Sequence, residues 1–352
     1  MVEEKKRDLA QASERQKDKK AALVSCRDIF FLDELQKVLT ESFRSFAPSS
    51  RYKKTKKPAK RILSAIISDT HFGSWIDPEE VNHRYGPEEE SRAFGKVVQE
   101  IAEYKTQYRD QTTLKLNIIG DIIQNQLHDA REGAPLASQF ASATFYLSQA
   151  VTYLAQHFPQ VDVHCAVGNH GRNVWRHRDR AVQQKWDSIE SMIYYSASVA
   201  TSGLKNVKWL LNKKPYYTVE LFDKTAFFTH GDTVLKPGYP GNAINVKGLY
   251  QQICKWNAAR NVGGPFSLFG VGHVHFGSMT HMPGGITMLT NGCLVPPDAY
   301  AVSIGSPDVT CGQWLFESVE SYPVGDTRFI NVDDAKDHPE FNQIIQPYRG
   351  PF

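Results

Sequence analysis

The sequence predicts an α/β layered domain over about residues 61–330 of a 352-residue chain, preceded by a separate appendage and followed by a short tail. Two patterns lead there. Short apolar runs at Leu63–Ile67, Leu114–Ile119, Val161–Val167, Ala226–Phe228 and Leu268–Val271 have the length and composition of buried strands. The intervals between them carry apolar residues at helical spacing, so strands and helices alternate along the chain.

Residues 1–60 read as an appendage. In "DIFFLDELQKVLTESFRSF", Ile29, Leu32, Leu35, Val38, Leu39 and Phe43 fall near one helical face, and "APSSRYKKTKKPAK" then has the Pro, Ser and charge of a linker. After the first strand, Phe94, Val97, Val98, Ile101 and Tyr104 form one helical stripe. Phe140, Leu147, Val151, Leu154 and Phe158 form another. "YYTVELFDKTAFFTH" reads as a hairpin turning at Asp223 and Lys224, and "INVKGLYQQICKWNAAR" as a further helix. Residues 331–352 form the tail, and no internal repeat is present.

Composition narrows the class. Hydrophobic content of 41% with 22% charged residues is that of a globular protein. Five cysteines without a C-x-x-C pair argue against a disulfide framework and a thiolate zinc site, and point to a reducing, cytoplasmic setting. The charged N-terminus is unlike a secretory signal, and no apolar run approaches membrane-spanning length, so no membrane partner is expected. "RYKKTKKPAKR", residues 51–61, holds seven basic residues and no acid; taken from the total of +3, this leaves −4 on the rest of the chain. Such a run either follows a phosphate backbone or is a solvated linker.

Each apolar run ends in a particular kind of polar residue. Asp69 and His71 follow the first, Asp121 the second, Asn169 and His170 the third, His230 the fourth, and His273 and His275 the fifth. A D-x-H triplet alone is weak, although on an extended chain Asp69 and His71 would point to one side. Five such endings can converge, because ligands in α/β sheets gather beyond the carboxyl ends of strands. Oxygen and imidazole donors without thiolate suit manganese, iron or zinc. Seven candidate ligands exceed the needs of one tetrahedral ion and suit two ions sharing a carboxylate. Gly120, Gly168, Gly231 and Gly272 beside the ligands fit turns that bring backbone close.

The ordered blocks "SDTH", "GDIIQN", "GNHG", "THGD" and "GHVH" resemble the five signature motifs of the calcineurin-like metallophosphoesterase superfamily over about residues 63–295. That resemblance implies two packed β-sheets flanked by helices, with a dinuclear site at one edge. It implies Asp69, His71, Asp121 and His275 on one metal, with Asp121 bridging to a second held by Asn169, His230 and His273. Manganese is the first expectation, iron or zinc the alternatives. His170 becomes the uncoordinated catalytic imidazole, serving attack on phosphorus by a metal-activated hydroxide. The sequence departs from many members at Gln124, where an acidic residue orients the catalytic histidine, and in the third block, which lacks a terminal acid. Gln124 is therefore expected to contact His170 from outside the metals.

Substrate signals are sparser. Basic residues at Lys53, Lys54, Lys56 and Lys57, and at Arg172, Arg176, Arg178 and Arg180, flank the motifs and could neutralise the phosphates of a polymer. Trp175 and Tyr300 are candidates for base stacking. "GNHGR" with a downstream "KWDSIE" resembles phage-encoded DNA exonuclease members of the superfamily and, more distantly, nuclease subunits of double-strand-break repair complexes. The expectation is a DNA nuclease or phosphodiesterase. A phosphatase of phosphoproteins or small nucleotides, and an inactive interaction scaffold, are the alternatives. Residues 1–50 are candidates for a protein contact, and the oligomeric state is left open.

Overall fold

The computed structural model describes residues 59–127, 133–173, 184–235, 246–303 and 305–350. The predicted helix at 29–43 and most of the basic linker lie outside the described residues. Strand β1 (Arg61–Ile67), β2 (Thr112–Ile118), β3 (Gln160–Cys165) and β4 (Val207–Leu211) run parallel in one sheet. On the far side of β1 lie two antiparallel strands, β10 (Gly312–Ser318) and β11 (Thr327–Asn331), giving the order β11-β10-β1-β2-β3-β4. The second sheet has the order β5-β6-β7-β9-β8, built from β5 (Tyr216–Leu221), β6 (Lys224–Thr229), β7 (Leu268–Val271), β8 (Ser278–Met282) and β9 (Ile286–Thr290). Strands β6, β7 and β9 are parallel, with an antiparallel strand at each edge.

The two sheets face each other across a core that includes Ile62, Ile66, Ile119, Tyr217, Val219, Phe228, Leu268, Leu289 and Phe316. This is why β1 reads as a continuous apolar run: six of its seven residues are buried, one face against the second sheet and the other against helices. Helices α1 (Pro87–Glu103), α2 (Leu136–Ala155) and α3 (Ile189–Ala200) belong to the first sheet's side. Helix α1 opens on Pro87 with Glu88, Glu89 and Glu90 in its first turn, which suits a helix N-terminus, and buries Phe94, Val97, Val98 and Ile101. Helix α4 (Val246–Asn257) covers the outer face of the second sheet through Leu249 and Ile253 against Phe227, Phe269 and Val271. The architecture is a sandwich of two mixed sheets flanked by helices.

Three local differences from expectation have physical causes. The β5–β6 hairpin pairs Leu221 with Lys224, so the turn residues are Phe222 and Asp223, one position earlier than predicted. Phe222 adopts φ 60° there and packs on the intersheet core, an anchor stronger than local turn preference. Strands β4, β8, β9, β10 and β11 and helix α3 have no counterpart in the sequence expectations. Edge strands such as "SMTHM" and "TRFIN" alternate burial and lack the apolar runs of central strands. Residues 331–350 pack on the same domain: Arg92 Nε donates to Asn342 at 2.8 Å and the Tyr348 amide to Tyr146 at 3.1 Å.

Candidate metal centre

The carboxyl ends of β1, β2, β3, β6 and β7 meet at one edge of the sandwich. Pairing continues past the strands into the loops: Asp69 N–H donates to Gly120 O at 3.0 Å, His71 N–H to Asp121 O at 3.1 Å, and Phe72 N–H to Ile122 O at 2.8 Å. The sheets are joined there by His230 Nδ1, 3.0 Å from Ile119 O, and by the His273 amide, 3.0 Å from Asp69 Oδ2.

Asp69 and His71 do reach one site, but not through an extended backbone. They adopt φ 52° and 47°, and Asp121, His273 and His275 adopt 51°, 73° and 60°. These left-handed positions cost about 1–3 kcal/mol each for residues other than glycine, and they cluster at sites where surrounding bonds over-determine the chain. Close approach of backbone is also required. A Cβ on Gly120 would lie 2.2 Å from Gly168 N, and one on Gly168 would lie 2.0 Å from Asp121 Oδ1. Only glycine fits at either position.

The side chains form three overlapping donor groups: Asp69, His71 and His275; His71, Asp121 and His170; and Asp121, His230 and His273, each with ligand atoms within 4.8 Å of one another. In the first, His71 Nε2 faces His275 Nε2 at 3.2 Å, and His275 Nε2 lies 3.4 Å from Asp69 Oδ1. In the third, His230 Nε2 sits 3.0 Å from Asp121 Oδ2, 3.1 Å from Asn169 Oδ1 and 3.2 Å from His273 Nδ1. His230 Nδ1 faces a backbone carbonyl, which only accepts, so this nitrogen carries the proton and Nε2 presents a lone pair. In the neutral imidazole that lone pair is aimed at further acceptors. Converging lone pairs in a buried place fit a cation, and donors of oxygen and imidazole type fit a divalent one.

His71 Nδ1 lies 2.7 Å from Gln124 Oε1, which fixes the same tautomer and frees its Nε2. This corrects the expectation for Gln124. Its side chain serves His71 and also accepts from Ser74 Oγ at 3.2 Å, while its backbone carbonyl meets His170 Nδ1 at 2.7 Å. An amide side chain can release His170 because the adjoining carbonyl already takes its proton. His170 Nε2 then stands 4.0 Å from Asp121 Oδ2, and the His71 and His170 rings meet edge to face at 4.5 Å.

The charge state matches the geometry. Burial alone would push both carboxyls up, but His275 and His230 hold Asp69 below the usual carboxylate range, and His230 and His170 hold Asp121 well below it. Burial, reinforced by neighbouring imidazoles, keeps His71 well below and brings His273 down to about 4. Burial also opposes the charge on His230, yet Asp121 overrides it and raises that imidazole to about 9. Two ionised carboxylates and two neutral imidazoles are already in ligand form. His230 would release its proton when a cation took its place.

Residues invisible to motif reading hold this arrangement. Glu190, fully buried in the first turn of α3, accepts the Ile122 amide on one oxygen and the Gly168 amide on the other, both at 2.7 Å. One carboxylate therefore ties the residue after Asp121 to the residue before Asn169. Its acid appears in "KWDSIE", but nothing local predicts which amides it takes. Beneath Asp69, Gln313 Oε1 accepts from Ser68 N–H at 2.9 Å and from Asn291 Nδ2 at 2.8 Å, joining β1, β9 and β10 in a buried network. Ser68 and Gln313 are 245 positions apart, beyond any local signal.

Arg172 sits beside the site, its carbonyl accepting from Asn125 Nδ2 at 2.9 Å and its backbone bridged to Ser188. Tyr300 is exposed on the short helix α5 (Ala299–Ser303). Lys53, Lys54, Lys56, Lys57, Trp175, Arg176, Arg178 and Arg180 lie outside the described residues. Among the described residues no helix is long and apolar enough to cross a membrane.

No protein-family model and no curated protein matches the sequence. Solved structures with a similar course of the chain include a single mutant of Vps29 from Entamoeba histolytica, at 10% identity and a TM-score of 0.33, covering 76% of this chain and 98% of the other. A predicted phosphoesterase from Streptococcus pneumoniae is 11% identical with a TM-score of 0.28, covering 77% and 98%. Phosphopantetheinyl hydrolase from Mycobacterium tuberculosis is 11% identical with a TM-score of 0.27, covering 67% and 91%.

Proposed function

We propose that this chain is a dinuclear metal-dependent phosphodiesterase, and a nuclease acting on DNA. The observation that carries the metal-dependent part is the pair of donor groups on either side of Asp121, with imidazole lone pairs aimed into them. Asp69, His71 and His275 would hold one cation and Asn169, His230 and His273 the other, with Asp121 between them. Two bound divalent cations supply Lewis acidity to a phosphate and acidify water at neutral pH. Manganese is the first candidate, with iron and zinc equally compatible with the donor types. The chain's own part is to keep Asp69 and Asp121 ionised, to fix His71 and His230 in the liganding tautomer, and to present His170. With Nδ1 held by Gln124 O, His170 offers Nε2 on the side of Asp121, where a protonated imidazole can donate to a departing oxygen. DNA as substrate is supported by the basic tracts and by the resemblance of "GNHGR" and "KWDSIE" to phage exonuclease members. The reading includes a cytoplasmic setting, supported by five cysteines without a C-x-x-C pair.

The test is a substrate panel on manganese-loaded protein with the metal content measured in parallel. Single- and double-stranded DNA, RNA, bis-p-nitrophenyl phosphate and p-nitrophenyl phosphate are compared. Two ions per chain with hydrolysis of the diester and of DNA is the expected result. One ion in fully active protein overturns the dinuclear reading, and activity confined to the monoester reassigns the chain as a phosphatase.

A further inference from the structure

Lys185 is buried yet lies in an otherwise exposed turn, and its neighbour Trp186 is 37% exposed. The turn closes with Asp187 N–H donating to Gln184 O at 2.7 Å, and it is anchored to two loops of the metal centre. On one side Lys185 Nζ forms a part-buried ion pair with Asp232, two residues after His230. On the other, Ser188 Oγ and the Ile189 amide donate to Gly171 O at 2.8 and 2.9 Å, next to His170. An indole is thus carried on a rigid turn pinned to the two loops that bear His170 and His230.

A cation joins it. Lys213 Nζ lies over the Trp186 ring, 4.6 Å from its centroid. Lys213 and Lys214 follow the C-terminal end of β4, which is parallel to β3 and therefore ends at the edge of the sheet where the metal centre lies. Asn212 Nδ2 reaches Cys165 O at 3.3 Å, three residues before Gly168. From Thr201 to Val219 the chain holds four lysines, Lys205, Lys208, Lys213 and Lys214, all exposed, and no acid; the exposed Asp187 beside Trp186 offsets one of them.

We infer that Trp186, Lys213 and Lys214 form a platform for single-stranded nucleic acid, with an unpaired base on the indole and the adjoining phosphates on the lysines. The inference rests on the phosphodiesterase reading and names its substrate class. Stacking demands an unpaired base, and lysines beside the ring meet the backbone that accompanies it. A small phosphate ester has no run of backbone phosphates to meet the lysines beside the ring.

The test uses full-length, manganese-loaded protein and a short fluorescent deoxythymidine single strand. Trp186→Ala is expected to weaken its binding at least about 5-fold, the low end for loss of one stacked base, and Trp186→Phe to restore most of it. The Lys213→Glu, Lys214→Glu double variant, changed only at exposed positions, should lower affinity and flatten the salt slope by about 1.4, two contacts at ~0.7 each. Hydrolysis of bis-p-nitrophenyl phosphate should be unchanged in every variant. Unaltered single-strand affinity with diester hydrolysis intact overturns the platform, and equal losses on single strand and duplex overturn the stacking. If the wild type hydrolyses no diester, the activity reading fails while the binding measurements still decide the platform.

Discussion

The two halves of the metal centre are held by different kinds of group. In the half containing Asp69, His71 and His275, side-chain amides add to the loop-to-loop backbone bonds: Gln124 on His71, and Gln313 with Asn291 beneath Ser68. In the half containing Asn169, His230 and His273, a backbone carbonyl and carboxylates do it: Ile119 O fixes His230, Glu190 gathers the Ile122 and Gly168 amides, and Asp69 takes the His273 amide. Exposure is alike in the two, since each half pairs one buried histidine, His71 or His230, with one partly exposed histidine, His275 or His273. A half held by a backbone carbonyl and carboxylates tolerates changes of other neighbouring side chains, provided its carboxylate straps survive. A half held by amides can be loosened at several positions.

Asp121 is common to both, so its removal should erase the distinction. Asp121→Ala is expected to abolish nearly all turnover and to leave at most one ion per chain by metal analysis. Retention of two ions with ordinary affinity would break the comparison at its root, because the halves would then not share a ligand.

The next effects separate the halves. Gln124→Leu leaves His71 Nδ1 without its acceptor and should weaken manganese in the first half by about 10–100-fold, the usual cost of losing an outer partner of a ligand. Glu190→Gln keeps one acceptor but turns an NH₂ group toward a backbone N–H, and should weaken the second half by a similar factor. Anomalous scattering from crystals soaked at limiting manganese identifies which position empties. If both variants empty the same position, the assignment of Gln124 and Glu190 to separate halves is wrong.

How much of this was legible follows from where the information sits. Asp69, His71, Asp121, Asn169, His170, His230, His273 and His275 are all named by the sequence reading, because each closes an apolar run and strand ends must gather, and the structure brings them to one edge of the sandwich. Strands β1, β2, β3, β6 and β7 were found for the same reason, whereas the interior strands β9 and β10 were not. Sequence spacing suggested an extended Asp69–His71 pair, whereas the left-handed conformation of both is imposed by loop-to-loop hydrogen bonds that have no local trace. Gln124 is expected on His170, which it meets through its carbonyl while its side chain takes His71, a division that depends on packing. Glu190 and Gln313 escaped because their partners lie 68 and 245 positions away. The platform at Trp186 escaped because Lys213 joins it only once β4 is laid beside β3.

The smallest expected effect concerns the scaffold behind the amide-held half. Glu90 is buried in α1, where it accepts from the Gly73 amide at 2.8 Å and from Tyr146 Oη at 3.0 Å, and so holds the loop that follows His71. Burial raises its carboxyl from 4.5 to about 7 despite those two bonds. Between these values the folded chain keeps a proton that the unfolded chain has lost, so stability falls as pH rises through this window. The full shift corresponds to roughly 3 kcal/mol at pH above 7. Glu90→Gln removes the titration while an amide can still accept from Gly73 and donate to the Tyr146 oxygen. Urea midpoints measured from pH 5 to pH 8 should therefore decline less steeply in the variant than in the wild type, even if the variant is about 1 kcal/mol less stable at pH 5 through a poorer hydrogen bond. Parallel declines in the two proteins would show that Glu90 is ionised throughout, and that the loop after His71 is held by a charge rather than by a proton.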